Sequence, residues 1–303
     1  MQAYELGPPS GVAAADLNAA FRLYKQAAAG GIAAAHTAVG RCCRDGLGTT
    51  RNMTVAVASF NAAALSGDAN ARYALGVILL AGSGGGGASG GSYIEPDVFK
   101  AATHLAAAAQ AGHAGAQVAY ADLLVEGSPG AVEADPAEAL RWLQRAADGN
   151  DVDAALAVGL AHAGRGRPAL AAAASEFRLG LADHTIVPGG APAGGTVVSA
   201  LALAIRYLRI SAAAGVGAGM CGLARCLEAA ATVAAGDDES GLACAPCAPL
   251  LAEALEWYTR ANEQVRGCRP AESVRHFACL SSDTASATGC AGRRGAVCTW
   301  TLL

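Results

Sequence analysis

A phrase with a period of about 36 residues recurs along this chain of 303 residues, and it constrains the fold more than any other feature. Each copy opens with a small residue, and a second small residue follows five positions later, directly after an apolar one. A period of this length is typical of a solenoid, because a single helical hairpin cannot bury its apolar face alone. We therefore predict stacked helical hairpins. The opening residues are Ala35, Ala71, Ala116, Ala154 and Gly219, and the second small residues are Gly40, Gly76, Ala121, Gly159 and Ala224.

The second half of each copy carries the signals of a helix start. An Asx side chain can accept hydrogen bonds from the free N–H groups of a first helical turn. Pro136 suits the first helical position, and Glu138 is placed to complete a capping box with Asp135. The Asx residues are Asp16, Asn52, Asp97 and Asp135, and helix-ending glycines precede the last three at Gly46, Gly82 and Gly127.

A bulky pair stands seven and eight residues after each Asx, and an Ala-Ala step follows it. Alanines let helix backbones approach closely, while a bulky side chain fills the space between neighbouring hairpins. We expect Trp142→Ala to cost about 3–5 kcal/mol, and deletion of 266–303 to change the unfolding midpoint little. The pairs are Leu23-Tyr24, Ser59-Phe60, His104-Leu105, Trp142-Leu143, Tyr207-Leu208 and Trp257-Tyr258.

This pattern resembles the Sel-one-like repeat (SLR) family, a relative of the tetratricopeptide repeats. The segment from Asp135 to Ala147 is similar to the second half of the family consensus, and the resemblance covers roughly residues 4–264. Cys43 stands where the consensus has a tyrosine, and the last two copies lack the capping Asx. The resemblance implies an all-α, right-handed α/α superhelix (solenoid) of about five to six helical hairpins.

The same resemblance implies a function. It predicts a non-enzymatic scaffold or adaptor that binds a partner protein or peptide on the concave face of the repeat array. For some members it also implies an adaptor role in ubiquitin-linked protein quality control. Nothing in the residues selects that role over other scaffolds.

We predict one solenoid over residues 1–264 and a low-order, cysteine-containing tail over 265–303. The chain opens in mid-repeat, so we expect either a fragment or a misplaced start. Insertions fall between helices, where a solenoid tolerates them. They lie near 83–93, 165–196 and 235–249.

Two segments compete for the role of partner helix in the fourth hairpin. We favour 197–214, which leaves 168–183 as an inserted helix, and the opposite assignment stays open.

The motifs do not indicate catalysis or a cofactor. The Gly-rich run 84–91 lacks the Lys-Ser/Thr of a phosphate-binding loop, and the six histidines are scattered. A net charge of −4 without a basic stripe predicts no nucleic-acid partner. The chain has no apolar run long enough to span a membrane and no secretory signal, which favours a cytoplasmic protein.

The ten cysteines support two interpretations. A secreted branch of the SLR family carries a disulfide in every repeat, whereas most repeats here have no cysteine, which argues for a reducing compartment. Alternatively, Cys244 and Cys247 could bind zinc with a tail cysteine or His276, which would make the C-terminal part a zinc module. No second CxxC follows them, so we favour incidental cysteines and predict no metal.

Counted from the opening residue, positions +1, +6 and +10 are expected to face outward from the first helix of each hairpin. Any one of these residues alone is more typical of solvated surface, but together they form our predicted partner-binding surface. The residues are His36, Arg41, Asp45, Arg72, Gln117, Asp122, Glu126 and Arg225.

Overall fold

The computed structural model of the protein describes residues 16–82, 94–175, 194–235 and 248–264. This part of the chain is built from α-helices, which confirms the all-α class predicted from the sequence. A further helical segment covers 168–175. The helices are α1 (Leu17–Ala29), α2 (Ala33–Asp45), α3 (Met53–Leu65), α4 (Ala69–Ala81), α5 (Val98–Gln110), α6 (Ala114–Glu126), α7 (Pro136–Asp148), α8 (Val152–His162), α9 (Gly194–Ala213), α10 (Gly217–Ala235) and α11 (Ala248–Gln264).

The chain falls into two compact units, 1–151 and 152–303. The first unit holds α1 to α7, in which each helix packs on the next and α2/α3, α4/α5 and α6/α7 form three hairpins. In the second unit α8 packs on α9, α9 on α10, and α10 on α11. The predicted insertion at 83–93 and the tail at 265–303 lie outside the described residues. The extent of the predicted solenoid therefore stays a prediction.

Each hairpin of the first unit is closed by the residue that caps its second helix. Asn52 accepts a hydrogen bond from the Val55 N–H through its side chain, at 3.1 Å. Its own backbone N–H donates to the Cys43 carbonyl of the preceding helix, at 2.8 Å. One Asx residue thus starts the second helix and ties it to the first. The equivalent bonds join Asp97 to Lys100 and Leu79, and Asp135 to Glu138 and Leu124.

The capping box predicted at α7 forms only in half. Asp135 accepts from the Glu138 N–H at 2.9 Å, as expected. The Glu138 carboxylate accepts instead from the indole Nε1 of Trp142, at 3.1 Å. The Asp135 N–H donates to the Leu124 carbonyl at 2.9 Å, so the bond that closes the hairpin uses the donor that a full box would need.

The small residue at position +5 lies against a bulky residue of the second helix. A Cβ atom added to any of three glycines at this position would lie 2.5–2.6 Å from the facing side chain, too close for two carbon atoms. All three facing side chains are fully buried. In these three hairpins the seam therefore requires a residue without a side chain on one wall, whereas alanine occupies the same position in the others. The pairs are Gly40–Phe60, Gly76–Leu105 and Gly159–Leu208.

The Gly159–Leu208 contact identifies α9 as the partner helix of α8. This agrees with the assignment of 197–214 as the partner helix. The segment 168–175 is helical as well, and the rest of 168–183 lies outside the described residues.

The second member of each bulky pair is the core residue. Trp142 is half-buried: it meets the Tyr120 ring edge-on, with centroids 6.0 Å apart, and the Arg145 guanidinium lies 4.8 Å from its ring centre. Its neighbour Leu143 is buried. The sequence predicted a large loss of stability for Trp142→Ala because a cavity would remain. Truncating the half-buried Trp142 would open a space toward solvent, so an enclosed cavity is expected for truncation of Leu143 instead. The buried second members are Tyr24, Phe60, Leu105, Leu143, Leu208 and Tyr258, and in the Tyr207-Leu208 pair the first member is buried as well.

Candidate partner-binding surface

The first helices of the three hairpins in the first unit are linked to one another at matching positions. In α2 the Thr37 hydroxyl donates to Asp68, the N-cap of α4, at 2.8 Å. In α4 the Tyr73 ring stacks on His113, the N-cap of α6, with centroids 4.4 Å apart. His113 caps through Nδ1, which accepts from the Ala116 N–H at 3.1 Å. Position +2 of one first helix thus contacts the start of the next, and α2, α4 and α6 form a linked row.

Positions +6 and +10 carry the exposed side chains of this row. Arg41 and Asp45 are exposed on α2, and Glu126 is exposed at the end of α6. Asp122, one turn before Glu126, is half-buried. The corresponding residues of α4 are Val77 and Ala81, both exposed. The structure thus brings four of the predicted site residues to the exposed side of one row of helices.

Position +1 turns inward, contrary to the prediction from sequence. Gln117 is only 4% exposed, and its Nε2 donates to the Ala109 carbonyl at 3.2 Å. His36 and Arg72 are half-buried. The prediction that Gln117 faces solvent is therefore wrong. Five residues separate +1 from +6, which is about 140° around a helix of 3.6 residues per turn, so both cannot lie on one exposed stripe.

The end of α2 concentrates positive charge around a single carboxylate. Arg44 donates from Nε and Nη2 to the two oxygens of Asp45, each at 2.8 Å. This pair lowers the pKa of Asp45, and the charges of Arg41 and Arg51 lower it further. Three arginines therefore surround one aspartate. Sequence reasoning missed Arg44 and Arg51 because it considered only positions +1, +6 and +10.

A comparison of the repeats within the chain could have found these two arginines. Position +9 is Arg44 in α2 but Leu80 in α4 and Val125 in α6. The residue before the capping Asx is Arg51 in the first complete hairpin, whereas the next two have Pro96 and Ala134. The repeat fold therefore forms without arginine at either position.

Arg225, the remaining predicted site residue, belongs to the second unit. It is exposed on α10, near a buried pair in which the Tyr258 hydroxyl donates to Glu228 at 3.2 Å. Burial raises the pKa of Tyr258 and Glu228 raises it further, whereas a hydrogen bond and the charge of Arg225 act in the opposite direction. Arg225 thus contributes to the polar contact between α10 and α11.

Stability of the first unit is expected to fall as the pH is lowered from about 7.5 to about 5.5. Burial lowers the pKa of His104, with a further contribution from Arg72, and burial also lowers the pKa of His113, although Asp68 opposes it. Such a histidine binds fewer protons in the folded chain than in the unfolded one. Its stabilising effect is therefore complete above the unfolded pKa of about 6.5 and is lost as the pH falls below that value.

Thermal unfolding followed by circular dichroism at several pH values measures this loss. The double variant His104→Gln, His113→Asn should show a smaller fall in midpoint between pH 7.5 and pH 5.5, because asparagine can cap α6 without titrating. The quantity compared is the change of the unfolding midpoint with pH. The variant also loses the Tyr73–His113 ring contact, but this loss lowers the midpoint equally at every pH. A double variant with the wild-type slope would contradict the prediction.

The described residues contain no group of three or more His, Cys, Asp or Glu side chains placed to hold a metal ion. The sequence-based zinc hypothesis rests on Cys244, Cys247 and His276, which lie outside the described residues. It stays a prediction, which elemental analysis of the purified protein would test.

The described cysteines occur in two states. Cys221 is disulfide-bonded, whereas Cys42, Cys43 and Cys226 are buried and form no disulfide. Burial raises the pKa of both Cys43 and Cys226. One disulfide-bonded cysteine does not decide the compartment, so the cytoplasmic location stays a prediction.

Among the helices that the structure describes, none combines the length and the apolar character needed to span a membrane.

The closing bond recurs in α2/α3, α4/α5 and α6/α7, and the glycine seam recurs in α2/α3, α4/α5 and α8/α9. These recurring features define this chain as a helical repeat protein of the tetratricopeptide-like class. The family model described as Sel1 repeat matches residues 2–32, 33–68, 69–113, 114–151 and 249–264. These matches cover more than half of the chain, which therefore belongs to the Sel1 repeat family. The match confirms the resemblance drawn from the sequence.

Two solved structures share the fold. A Sel1 repeat protein from Oxalobacter formigenes is 22% identical, with 84% of this chain and 89% of that chain covered and a TM-score of 0.52. A protective antigen of uropathogenic Escherichia coli that displays an SLR fold is 16% identical, with 98% of this chain and 64% of that chain covered and a TM-score of 0.52. No curated protein matches the chain.

Sel1 repeats generally mediate protein–protein interactions, and their fold is typically a non-catalytic scaffold. The family match gives neither the specific partner nor the surface that binds it.

Proposed function

We propose that this protein is a non-enzymatic scaffold whose first unit binds a partner protein or peptide along the row of α2, α4 and α6. The observation that supports this proposal is the exposed side of the row. At positions +6 and +10 it presents Arg41 and Asp45, then Val77 and Ala81, then Asp122 and Glu126. The surface therefore changes from charged through apolar to acidic across three repeats.

The links between the first helices hold this surface in a fixed geometry. The Thr37–Asp68 hydrogen bond and the Tyr73–His113 stack join each first helix to the next. A surface that is already ordered before binding loses little conformational entropy when a partner docks. A difference in charge along such a surface selects both the partner and the direction in which it lies.

Affinity capture with quantitative mass spectrometry tests the proposal. The double variant Arg41→Glu, Glu126→Lys reverses charge at both ends of the row without changing net charge. It is expected to lose most of the partners captured by the wild-type protein. The difference in capture between the variant and the wild type should become smaller as salt is raised, because exposed charges are screened over about 10 Å at 0.1 M ionic strength.

A matched control reverses charge on second helices. Arg22→Glu on α1 with Glu256→Lys on α11 changes two exposed residues and also leaves net charge unchanged. This variant is expected to capture the wild-type set of partners. Equal capture by both variants and the wild type would show that the row of first helices is not the binding surface.

A further inference from the structure

One cleft of the first unit lies at the basic end of the row. It runs between the ends of α2 and α4, beside the start of α3, and we call it the α2–α4 cleft. Its lining residues are Arg44, Asp45, Arg51, Met53, Val77, Ile78, Ala81 and Gly82. Its volume is about 470 Å³, within the range of about 300–1,000 Å³ usual for ligand sites.

The cleft combines an apolar wall with a positively charged rim. Met53, Val77 and Ala81 supply the apolar part. Arg44 is paired with Asp45 through two hydrogen bonds, whereas Arg51 forms no ion pair within 4 Å of its side chain with any described residue. The charged residues of the lining are two arginines, Arg44 and Arg51, and one carboxylate, Asp45, so the rim carries more positive than negative charge.

Closure of the α2 terminus does not explain the arginines. The carbonyl of Cys42 accepts from the N–H groups of Gly46 and Leu47, at 2.8 and 2.9 Å. The carbonyl of Cys43 accepts from Asn52 at 2.8 Å. Backbone donors therefore already satisfy these terminal carbonyls, and basic side chains are not needed to cap them.

Repetition of the fold does not explain them either. The positions equivalent to Arg44 hold Leu80 and Val125 in the next two hairpins, and those hairpins close with the same backbone bond. The arginines at the α2–α4 cleft are thus local to one repeat, as expected of residues that contact a ligand.

We propose that the α2–α4 cleft binds an acidic, extended segment of the partner protein, with an apolar side chain against Met53 and Val77 and a carboxylate against Arg51 and Arg44. The proposal deepens the proposed function, on which it rests, by giving the chemistry of the partner. Arginine suits this role because its guanidinium donates paired hydrogen bonds to a carboxylate. Asp122 and Glu126 at the other end of the row repel an acidic segment, which fixes its position at α2.

Fluorescence anisotropy with the full-length chain tests this chemistry directly. The probes are three fluorescein-labelled peptides of equal length, with alternating Glu and Leu, alternating Lys and Leu, and alternating Glu and Ser. The Glu-Leu peptide is expected to bind about tenfold more tightly than either of the others, because it alone supplies both a carboxylate and an apolar side chain. Its affinity should fall as salt is raised.

Variants then locate the site. Arg44→Gln with Arg51→Gln should weaken binding of the Glu-Leu peptide about tenfold. The single variant Arg51→Gln should weaken peptide binding less than the double variant does. It keeps the Arg44–Asp45 pair, so it still tests the site if the double variant unfolds. Arg22→Gln with Arg141→Gln, on the exposed faces of α1 and α7, removes the same charge elsewhere and should bind the peptide as the wild type does.

The possible results separate this inference from the proposed function. Equal affinity for all three peptides, or wild-type affinity in both Arg51 variants, would overturn the acidic-segment proposal. Either result could occur while the variant Arg41→Glu, Glu126→Lys still loses the captured partners. In that case the row would remain the binding surface, but its partner would not be an acidic segment. If peptide binding depended on Arg44 and Arg51 while partner capture did not depend on the row, the cleft would stand and the proposed scaffold surface would fall.

Discussion

Phe60→Ala is expected to lower the free energy of unfolding of the first unit by about 3–5 kcal/mol. Phe60 on α3 is 0% exposed and belongs to the buried cluster formed by α1 to α4. Its ring lies directly against Gly40, which has no side chain that could move into the space left behind. An enclosed cavity therefore remains, in addition to the lost burial of the ring. Thermal or urea unfolding of the full chain, followed by circular dichroism, measures the change.

Phe99→Ala is the matched control for this prediction. Phe99 is the same residue type in the same unit but is 61% exposed near the start of α5. Its truncation is expected to change stability by no more than about 0.5 kcal/mol. Similar shifts in the two variants would show that the buried seam does not dominate the stability of this unit.

Gly76→Val is expected to destabilise the first unit by about 1–3 kcal/mol, although valine has the higher helix propensity. A Cβ atom at Gly76 would lie 2.5 Å from Leu105 Cγ and 3.4 Å from the Ala101 carbonyl oxygen. Relief requires α4 and α5 to separate, because Leu105 is itself fully buried. The unfolding midpoint of the full chain is the measurement.

Two further variants show whether the clash is the cause. Ala58→Val places the same side chain on the exposed face of α3, and it should change stability by no more than about 0.5 kcal/mol. Leu105→Ala combined with Gly76→Val moves volume from one wall of the seam to the other. The double variant should lose less stability than the sum of the two single variants, since the residues are in contact. Strict additivity would exclude the contact as the origin of the loss.

The local signals in the sequence predicted most of the helical arrangement. The period, the Asx residues and the glycines predict where first helices end and second helices begin, and Asn52, Asp97 and Asp135 cap the helices that they were expected to cap. These features are local, because a cap or a left-handed glycine is decided within about one helical turn. The sequence also indicated which positions repeat, and hence that Gly40 is equivalent to Gly76 and Phe60 to Leu105.

The candidate surface was predicted less well, because exposure depends on what packs around a helix. Arg41, Asp45 and Glu126 are exposed as expected, whereas Gln117 is buried against the carbonyl of Ala109. Helical spacing alone gives the angle between two side chains but does not tell which side of the helix a neighbour covers. Arg51 was missed because its place depends on tertiary structure: the closing bond from Asn52 to Cys43 brings residue 51 back to the end of α2.

The sequence by itself therefore determined the repeat, the helix termini and the family. Tertiary structure decided which hydrogen-bond partner a side chain takes when several are within reach. Glu138 could have bonded the Asp135 N–H or the Trp142 indole, and the hairpin contact from Asp135 to Leu124 settled the choice in favour of the indole. Likewise, Leu143 is buried whereas Trp142 is half-buried. Adjacent residues of an α-helix point about 100° apart, so a neighbour that covers one side of α7 need not cover both side chains.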